Sequence, residues 1–457
     1  MKISFNWLKS YLDFDLTPER TSEILTDTGL EIEGLQKFEE IQDGLEGVVV
    51  GEVLSCEAHP DADRLKVTQV NLGGETVQIV CGAPNVGKGQ KVMVATVGTN
   101  LHPNNGEAFK IKKAKIRGVE SFGMICAEDE LGLGASHEGI LILPDEITIG
   151  TPAAKYYELY TDFQLEIGLT PNRCDAMGHI GVARDLKAFL NFHENQNLSL
   201  KLPDTASKYS DNKDTDKIKI NIDDASLCPR YIGAILDDIE VKESPKWLKN
   251  RLKSIGLDPV NNVVDVSNFI MYEYGTPMHA FDRSKLGKNI TVKKADKGSS
   301  FKTLDGTERK LSGEELMITS EGKNLCIAGV FGGLDSGVSE NTKSIFLESA
   351  IFNATSVRKT SKAHAIQTDA SFRFERGVDP TFTEDAMNRA ISIIQEITGA
   401  KLTMKPAVID EFDASEKKVT FSIDFLNQRL GTALKTKEVI SILENLDFKC
   451  TIAVSYT

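Results

Sequence analysis

Hydrophobic and polar positions change their period several times along the chain, and each change predicts a different kind of element. The polar–apolar alternation at 2–5 reads as a short strand. Helices follow, the second opening with Thr17 as N-cap and Pro18 in its first turn and ending near Gly29. From Val48 to Leu143 the pattern becomes short β-type runs broken by glycine and asparagine, at 48–53, 65–71, 77–81, 90–97, 109–116 and 140–143. Short strands separated by turn signals at this spacing predict a small closed barrel. An α/β pattern returns over 156–192, strand-like at 163–167 and helical at 181–192. Residues 203–217 carry almost no large apolar side chain and are rich in Ser, Asp, Lys and Thr, which predicts a linker. Beyond it Ser244 is placed to cap a helix with Pro245 in its first turn and Trp247, Leu248, Leu252 and Ile255 on its apolar side. A helix-like segment then ends at Gly275, strands dominate 290–345, and a long helix lies near 383–399. The last segment, 419–453, reads as a strand, a short helix and a helix capped by Thr436, with Val439, Ile442, Leu443 and Leu446 at i, i+3, i+4 and i+7.

Composition places these elements in an ordinary globular chain. With 457 residues, 40% hydrophobic and 26% charged, the sequence has material for about two to four domains. No apolar run has spanning length, and the apolar residues between Met1 and Lys9 are interrupted too soon for a signal peptide, so the expected location is cytoplasmic, without a membrane partner. Seven cysteines, without a C-x-x-C pair, argue against a disulfide framework and a zinc site, and no metal ligand is assigned.

The net charge of -14 argues against nonspecific coating of nucleic acid. One stretch reverses that sign: Lys110, Lys112, Lys113, Lys115 and Arg117 stand between Ala108 and Gly118 with no acidic residue. Such a run is either a solvated strand face or a local nucleic-acid surface. Gly82-Ala83-Pro84-Asn85-Val86-Gly87-Lys88-Gly89 nearly fits a phosphate loop, but Gly89 stands where the Mg²⁺-binding hydroxyl is needed and strand pattern follows, which rejects an NTPase site. For His59, Asp61 and Asp63 the alternatives are a metal cluster or a Pro-led turn whose carboxylates accept backbone N–H groups.

The polar residues hardest to explain by folding alone lie between Asp258 and Pro380. Glu348 follows the strand-like run 344–347 and precedes Ser349-Ala350-Ile351-Phe352, so its neighbours favour burial, and a buried carboxylate is costly unless it is hydrogen-bonded. Taken alone it is also compatible with a strand-end Glu in solvent or paired with Lys343, Arg358 or Lys359. His279 alone reads as a histidine in a turn after Pro277. Gly332-Gly333 is a turn, a bulge or a place where a ligand approaches the backbone. No serine sits on a nucleophile elbow, so a triad is not assigned.

Taken together, the runs Asn261-Asn262-Val263-Val264-Asp265-Val266-Ser267-Asn268, Pro277-Met278-His279-Ala280-Phe281-Asp282 and Thr368-Asp369-Ala370-Ser371-Phe372-Arg373-Phe374-Glu375-Arg376-Gly377-Val378-Asp379 resemble the editing module of the bacterial phenylalanyl-tRNA synthetase beta-subunit family. His59-Pro60-Asp61-Ala62-Asp63-Arg64-Leu65, Val80-Cys81-Gly82-Ala83-Pro84-Asn85 and 116–124 resemble the tRNA-binding OB-fold domain appended to several synthetases, and 169–175 is similar to the signature that follows it. The resemblance implies a multidomain α+β fold. A discontinuous α/β N-terminal domain (1–39 and 151–200) carries an inserted OB-fold β-barrel (40–150). A linker (201–217), an α/β editing domain like B3/B4 modules (218–400) and the incomplete start of a small helical DNA-binding-like domain, B5-like (405–457), complete the expected layout.

The resemblance also assigns roles. Glu348 recognises the hydroxyl of tyrosine, His279 and Asn268 contact the aminoacyl-adenosine end or position water, and Thr368 lines the pocket. Gly332 and Ala370 leave room for the substrate, Ser267 adds to its binding, and Lys110 to Arg117 form the RNA-facing strand. The partners implied are tRNA(Phe) and an alpha subunit in an alpha2beta2 heterotetramer, with no DNA. ATP and Mg²⁺ serve the whole enzyme, through an alpha-subunit site that needs no residue here. The function implied is support of phenylalanine ligation plus hydrolysis of misacylated Tyr-tRNA(Phe). A tRNA-binding scaffold with an inactive pocket and a free-standing hydrolase acting in trans are the other readings.

Overall fold

The computed structural model describes residues 1–104, 106–205, 218–413 and 415–453; residues 206–217 of the expected linker (201–217) lie outside them. The chain divides into two compact units, 37–162 and the combination of 1–36 with 163–457.

In the smaller unit the strands run in the order Gly123–Ile125, Lys91–Thr96, Val48–His59, Ala62–Asn71, Thr76–Cys81, with Ile142–Leu143 also paired to Lys91–Thr96. The Phe122 N–H donates to Gln78 O at 2.8 Å, which brings the sheet back toward its first edge and nearly closes a barrel. Alternation along the Lys91–Thr96 strand explains the packing: Val92 and Val94 join one apolar cluster, Met93 and Ala95 another.

The expected strand over 109–116 is two strands. Phe109–Lys110 pairs with Asn100–Leu101, and Ala114–Ile116 pairs with Val119–Ser121. Ile111 breaks the run because it turns inward into the core between Lys110 and Lys112, both exposed.

Lys2–Ser4, Thr161–Gly168 and Glu31–Glu39 form a three-stranded sheet, most of whose residues belong to the larger unit. Its polar edge strand Glu31–Glu39 has no apolar run to announce it. A four-stranded antiparallel sheet follows, in the order Met278–Asp282, Ser344–Ile351, Arg230–Asp237, Lys401–Asp410. Side chains alternate between its faces. Ile232, Ala234, Leu236, Ala280, Ile345 and Leu347 pack with the helices Asn262–Tyr274 and Phe382–Thr398. Tyr231, Ile235, Phe281, Phe346 and Ala350 face a second sheet, whose Ile290, Val292, Ile318 and Ile327 complete that core. This second sheet runs Lys219–Ile222, Asn289–Lys294, Leu316–Ser320, Lys323–Ile327, Phe331–Gly332.

Local signals act as expected at most ends. Thr17 accepts from Arg20 N at the start of Pro18–Asp27, and Gly275 and Gly399 close their helices in the left-handed region that glycine tolerates. Three expectations are corrected. Ser244 does not cap the Lys246–Ser254 helix; it is buried and donates to Asp265 Oδ2 at 2.5 Å, a bond that satisfies an otherwise costly buried carboxylate. Lys435, one residue before Thr436, is the N-cap of Thr436–Asn445. No strand opens 419–453; the strand of this region is Lys401–Asp410, and Ile423–Leu430 is the short helix.

Candidate functional site

The Ser344–Ile351 strand continues through Glu348, which has strand neighbours on both sides: His279 stands directly opposite on one strand and Gly233 on the other. Residues paired in this way project to the same face. Glu348 is only 5% exposed and pairs with none of Lys343, Arg358 or Lys359; its Oε2 accepts a hydrogen bond from the hydroxyl of Tyr231 at 2.5 Å. Burial raises its pKa to about 8, and the Tyr231 hydrogen bond acts in the opposite direction.

His279 lies in the Met278–Asp282 strand instead of a turn. Its ring meets Phe281 edge-on, centroids 4.4 Å apart at 81°. Burial lowers its pKa to about 4, so the ring is neutral at pH 7. Its Nε2 is buried and has no hydrogen-bond partner among the described residues.

Glycine is required twice at this site by close approach. A Cβ at Gly332 would lie 2.9 Å from both His279 Cε1 and Leu304 Cδ1, so only glycine lets the backbone pass over the imidazole. At Gly233 it would lie 2.3 Å from Phe346 Cζ. Leu304 N–H donates to Gly332 O at 3.0 Å, fastening the turn of the Ser300–Lys302 and Glu308–Lys310 hairpin beside the histidine.

Thr368 caps the Asp369–Phe374 helix, accepting from Ser371 N, and its hydroxyl donates to Val330 O at 3.0 Å. It thereby ties that helix to the segment leading into Gly332. Ala370, in the first turn, packs against the apolar cores on both sides of the four-stranded sheet. Ser267 and Asn268 stand apart. Their helix lays its apolar side on the opposite sheet face, Ser267 Oγ returns to Val263 O at 3.3 Å, and no hydrogen bond among the described residues joins either to His279, Glu348 or Thr368. The structure therefore brings His279, Glu348 and Gly332 together, reaches Thr368 through Val330, and leaves Ser267 and Asn268 unlinked. Tyr231, Gly233 and Leu304 were not singled out from sequence, since strand register and hairpin docking alone bring them here.

In the barrel all five basic residues from Lys110 to Arg117 are exposed, but not on one strand face. Lys110 and Lys112 line a groove of about 680 Å³ beside Gly82, Pro84, His137 and Ile140. Lys113 is paired with Glu120 at 3.1 Å and lies over the Phe122 ring, and Arg117 donates to Asp61 O at 3.3 Å. Both nitrogens of His59 are engaged, Nδ1 with Asp61 N and Nε2 with Ile116 O, each at 3.1 Å, which fixes the turn and leaves no lone pair for a metal. Among the described residues no cluster of His, Cys, Asp and Glu is suited to hold a metal ion, and no helix is long and apolar enough to cross a membrane.

Residues 48–152 match the tRNA binding domain family and residues 227–399 the B3/4 domain family. Over 451 residues the chain is 48% identical to the phenylalanine–tRNA ligase beta subunit of Bacteroides fragilis, covering 98% of this chain and 55% of the relative. The beta subunit of Porphyromonas gingivalis is 48% identical over 458 residues with the same coverage, and that of Geobacter metallireducens 40% identical over 453 residues, 99% of this chain and 55% of the relative. An N-terminal fragment of the phenylalanyl-tRNA synthetase beta subunit from Pyrococcus horikoshii shows 18% identity and a TM-score of 0.30 over 64% of this chain and 79% of that one, too slight a likeness to argue from. The chain spans about half the length of the curated relatives it matches.

Proposed function

Because the chain belongs along 98% of its length to the phenylalanine–tRNA ligase beta-subunit family, we propose that it supplies tRNA binding and hydrolysis of wrongly charged tRNA to a phenylalanine–tRNA ligase. The ligation step, its ATP and its Mg²⁺ belong in this reading to an alpha subunit, joined with the beta chains as alpha2beta2 around tRNA(Phe). The OB-type barrel gives tRNA a second hold. The observation that carries the reading is the buried carboxylate of Glu348 beside a neutral histidine with a free nitrogen.

The chemistry follows from what a binding pocket for phenylalanine cannot do. A hydrophobic pocket rejects an analogue that merely adds a hydroxyl by only about a hundredfold. A second pocket reverses the selection: a buried acceptor welcomes the phenol O–H of tyrosine and is left unpaired by phenylalanine, at a cost of about 1–3 kcal/mol or more. Glu348 is that acceptor. For hydrolysis, water attacks the carbonyl carbon of the aminoacyl ester, the bond to the ribose oxygen breaks, and that oxygen leaves as a hydroxyl after taking up the proton lost by water. Neutral His279 offers Nε2 to orient the water.

A scaffold reading has one observation in its favour: Gly332 and Leu304 close over His279 and bury the nitrogen that would meet water. Incubating Tyr-tRNA(Phe) with this chain, alone and with a matching alpha subunit, separates the two. Release of tyrosine in either mixture, above the spontaneous rate, supports hydrolysis. A spontaneous rate in both supports the scaffold.

A further inference from the structure

Glu348 already has a tyrosine. The hydroxyl it holds belongs to Tyr231, whose ring is fully buried. Strand pairing explains the contact: Tyr231 stands opposite Ala350, two positions from the pair of Gly233 with Glu348, and an aromatic side chain reaches a diagonal neighbour on the same face. Gly233 presents no side chain between them, and the ring of Phe346 fills that space.

A carboxylate has two oxygens and about four acceptor positions. Among the described residues Glu348 accepts one hydrogen bond, at Oε2, and forms no ion pair. Buried carboxylates are ordinarily satisfied more fully than this, so Oε1 has capacity for a further donor. The surroundings select the kind of donor: Phe281, Phe346, Cys228 and Cys326 belong to the same apolar core, which suits a neutral hydroxyl on an aromatic ring.

Building on the reading of the site given above, we propose that Tyr231 is the positioning residue for tyrosine selectivity, occupying Glu348 Oε2 so that Oε1 alone is presented to the phenolic hydroxyl of the ligand. Burial already favours the protonated carboxyl and the Tyr231 hydroxyl opposes it, so without that hydroxyl Oε2 is orphaned and the ionised form retreats to still higher pH. A protonated carboxyl is a weaker acceptor and itself needs a partner, so the advantage of a ligand carrying a hydroxyl shrinks.

The test uses the whole chain and two non-hydrolysable probes, tyrosinamide and phenylalaninamide, with binding measured by calorimetry for wild type, Tyr231→Phe and Glu348→Gln. The carboxyl titration of Glu348 is followed in parallel by infrared difference against Glu348→Gln. Tyr231→Phe keeps the ring and its volume, so the fold persists. The expected result is a fall of about tenfold in the tyrosine-over-phenylalanine ratio and an upward move of the carboxyl titration. A variant that keeps the wild-type ratio and titration while only its melting temperature falls makes Tyr231 an ordinary core residue and overturns the proposal. A wild type with no preference for tyrosinamide, unchanged in Glu348→Gln, overturns the editing reading itself, and this proposal with it.

Discussion

A buried tyrosine–glutamate pair stands in the same region as a histidine twice in this molecule. Beside the Asn262–Tyr274 helix, Tyr11 donates to Glu273 at 2.5 Å while accepting from Trp7 Nε1 at 2.6 Å, and Arg389 adds a charged donor to Glu273 at 3.4 Å. His179 there stacks on Trp7 at 3.9 Å and uses both nitrogens, Nε2 with Ser4 N and Nδ1 with Tyr272 O. On the sheet face that carries Glu348, Tyr231 donates to Glu348 at the same 2.5 Å, but among the described residues no cation joins them and His279 leaves Nε2 unpaired. Burial lowers both histidines, to about 3 for His179 and about 4 for His279, and raises both glutamates. The directions of the pKa shifts therefore do not separate a structural cluster from a candidate site. Unused hydrogen-bonding capacity does.

Substitutions that strike the two clusters differently sharpen this contrast. His179→Ala removes a stacked ring and two hydrogen bonds from a finished network, and should cost about 3 kcal/mol of stability by thermal unfolding. Equal melting temperatures for His179→Ala and wild type would erase the distinction. His279→Ala should lower hydrolysis of Tyr-tRNA(Phe) about a hundredfold, and should cost less stability than His179→Ala because its Nε2 has no hydrogen bond to lose.

Stability against pH follows from the same groups. Both histidines have folded pKa values below their unfolded value, so their neutral forms contribute stability that is present above pH 6.5 and is lost as pH falls to about 4 for His279 and about 3 for His179. Glu348 acts oppositely. Its folded pKa of about 8 lies above the usual 4.5, so the folded state holds the extra proton, and stability falls as pH rises between those values. Glu348→Gln should therefore gain stability relative to wild type from pH 5 to pH 8 in denaturant titrations; a constant difference would mean that Glu348 stays ionised.

The smallest effect belongs to the barrel. Lys112→Ala should weaken tRNA binding and make its dependence on the logarithm of salt shallower by about 1. Lys113→Ala should do less, because Glu120 already neutralises that charge. Equal losses, or none, would move the RNA surface away from this groove.

Local chemistry in the sequence announced much of the fold. Apolar runs, caps and glycine stops are read within a few residues, so Pro18–Asp27, the Gly275 and Gly399 ends and the strand around Glu348 were legible. Lys401–Asp410 was not, since Pro406 argues against a strand. It is tolerated there because the strand is at the sheet edge and its register with Arg230–Asp237 shifts close to the proline. The pairing of His279 with Glu348 was expected only as a shared pocket. Their direct opposition, and the contact of Tyr231 with a residue 117 positions away, come from register, which no short segment encodes.

The central claim is that Glu348 selects tyrosine at this site, and the most direct measurement is the ratio of hydrolysis rates for Tyr-tRNA(Phe) and Phe-tRNA(Phe), in wild type and in Glu348→Ala with the alpha subunit present. A ratio well above one in wild type that collapses toward one in Glu348→Ala is the predicted result. A wild-type ratio near one, or a ratio that survives the loss of the carboxylate, would contradict it.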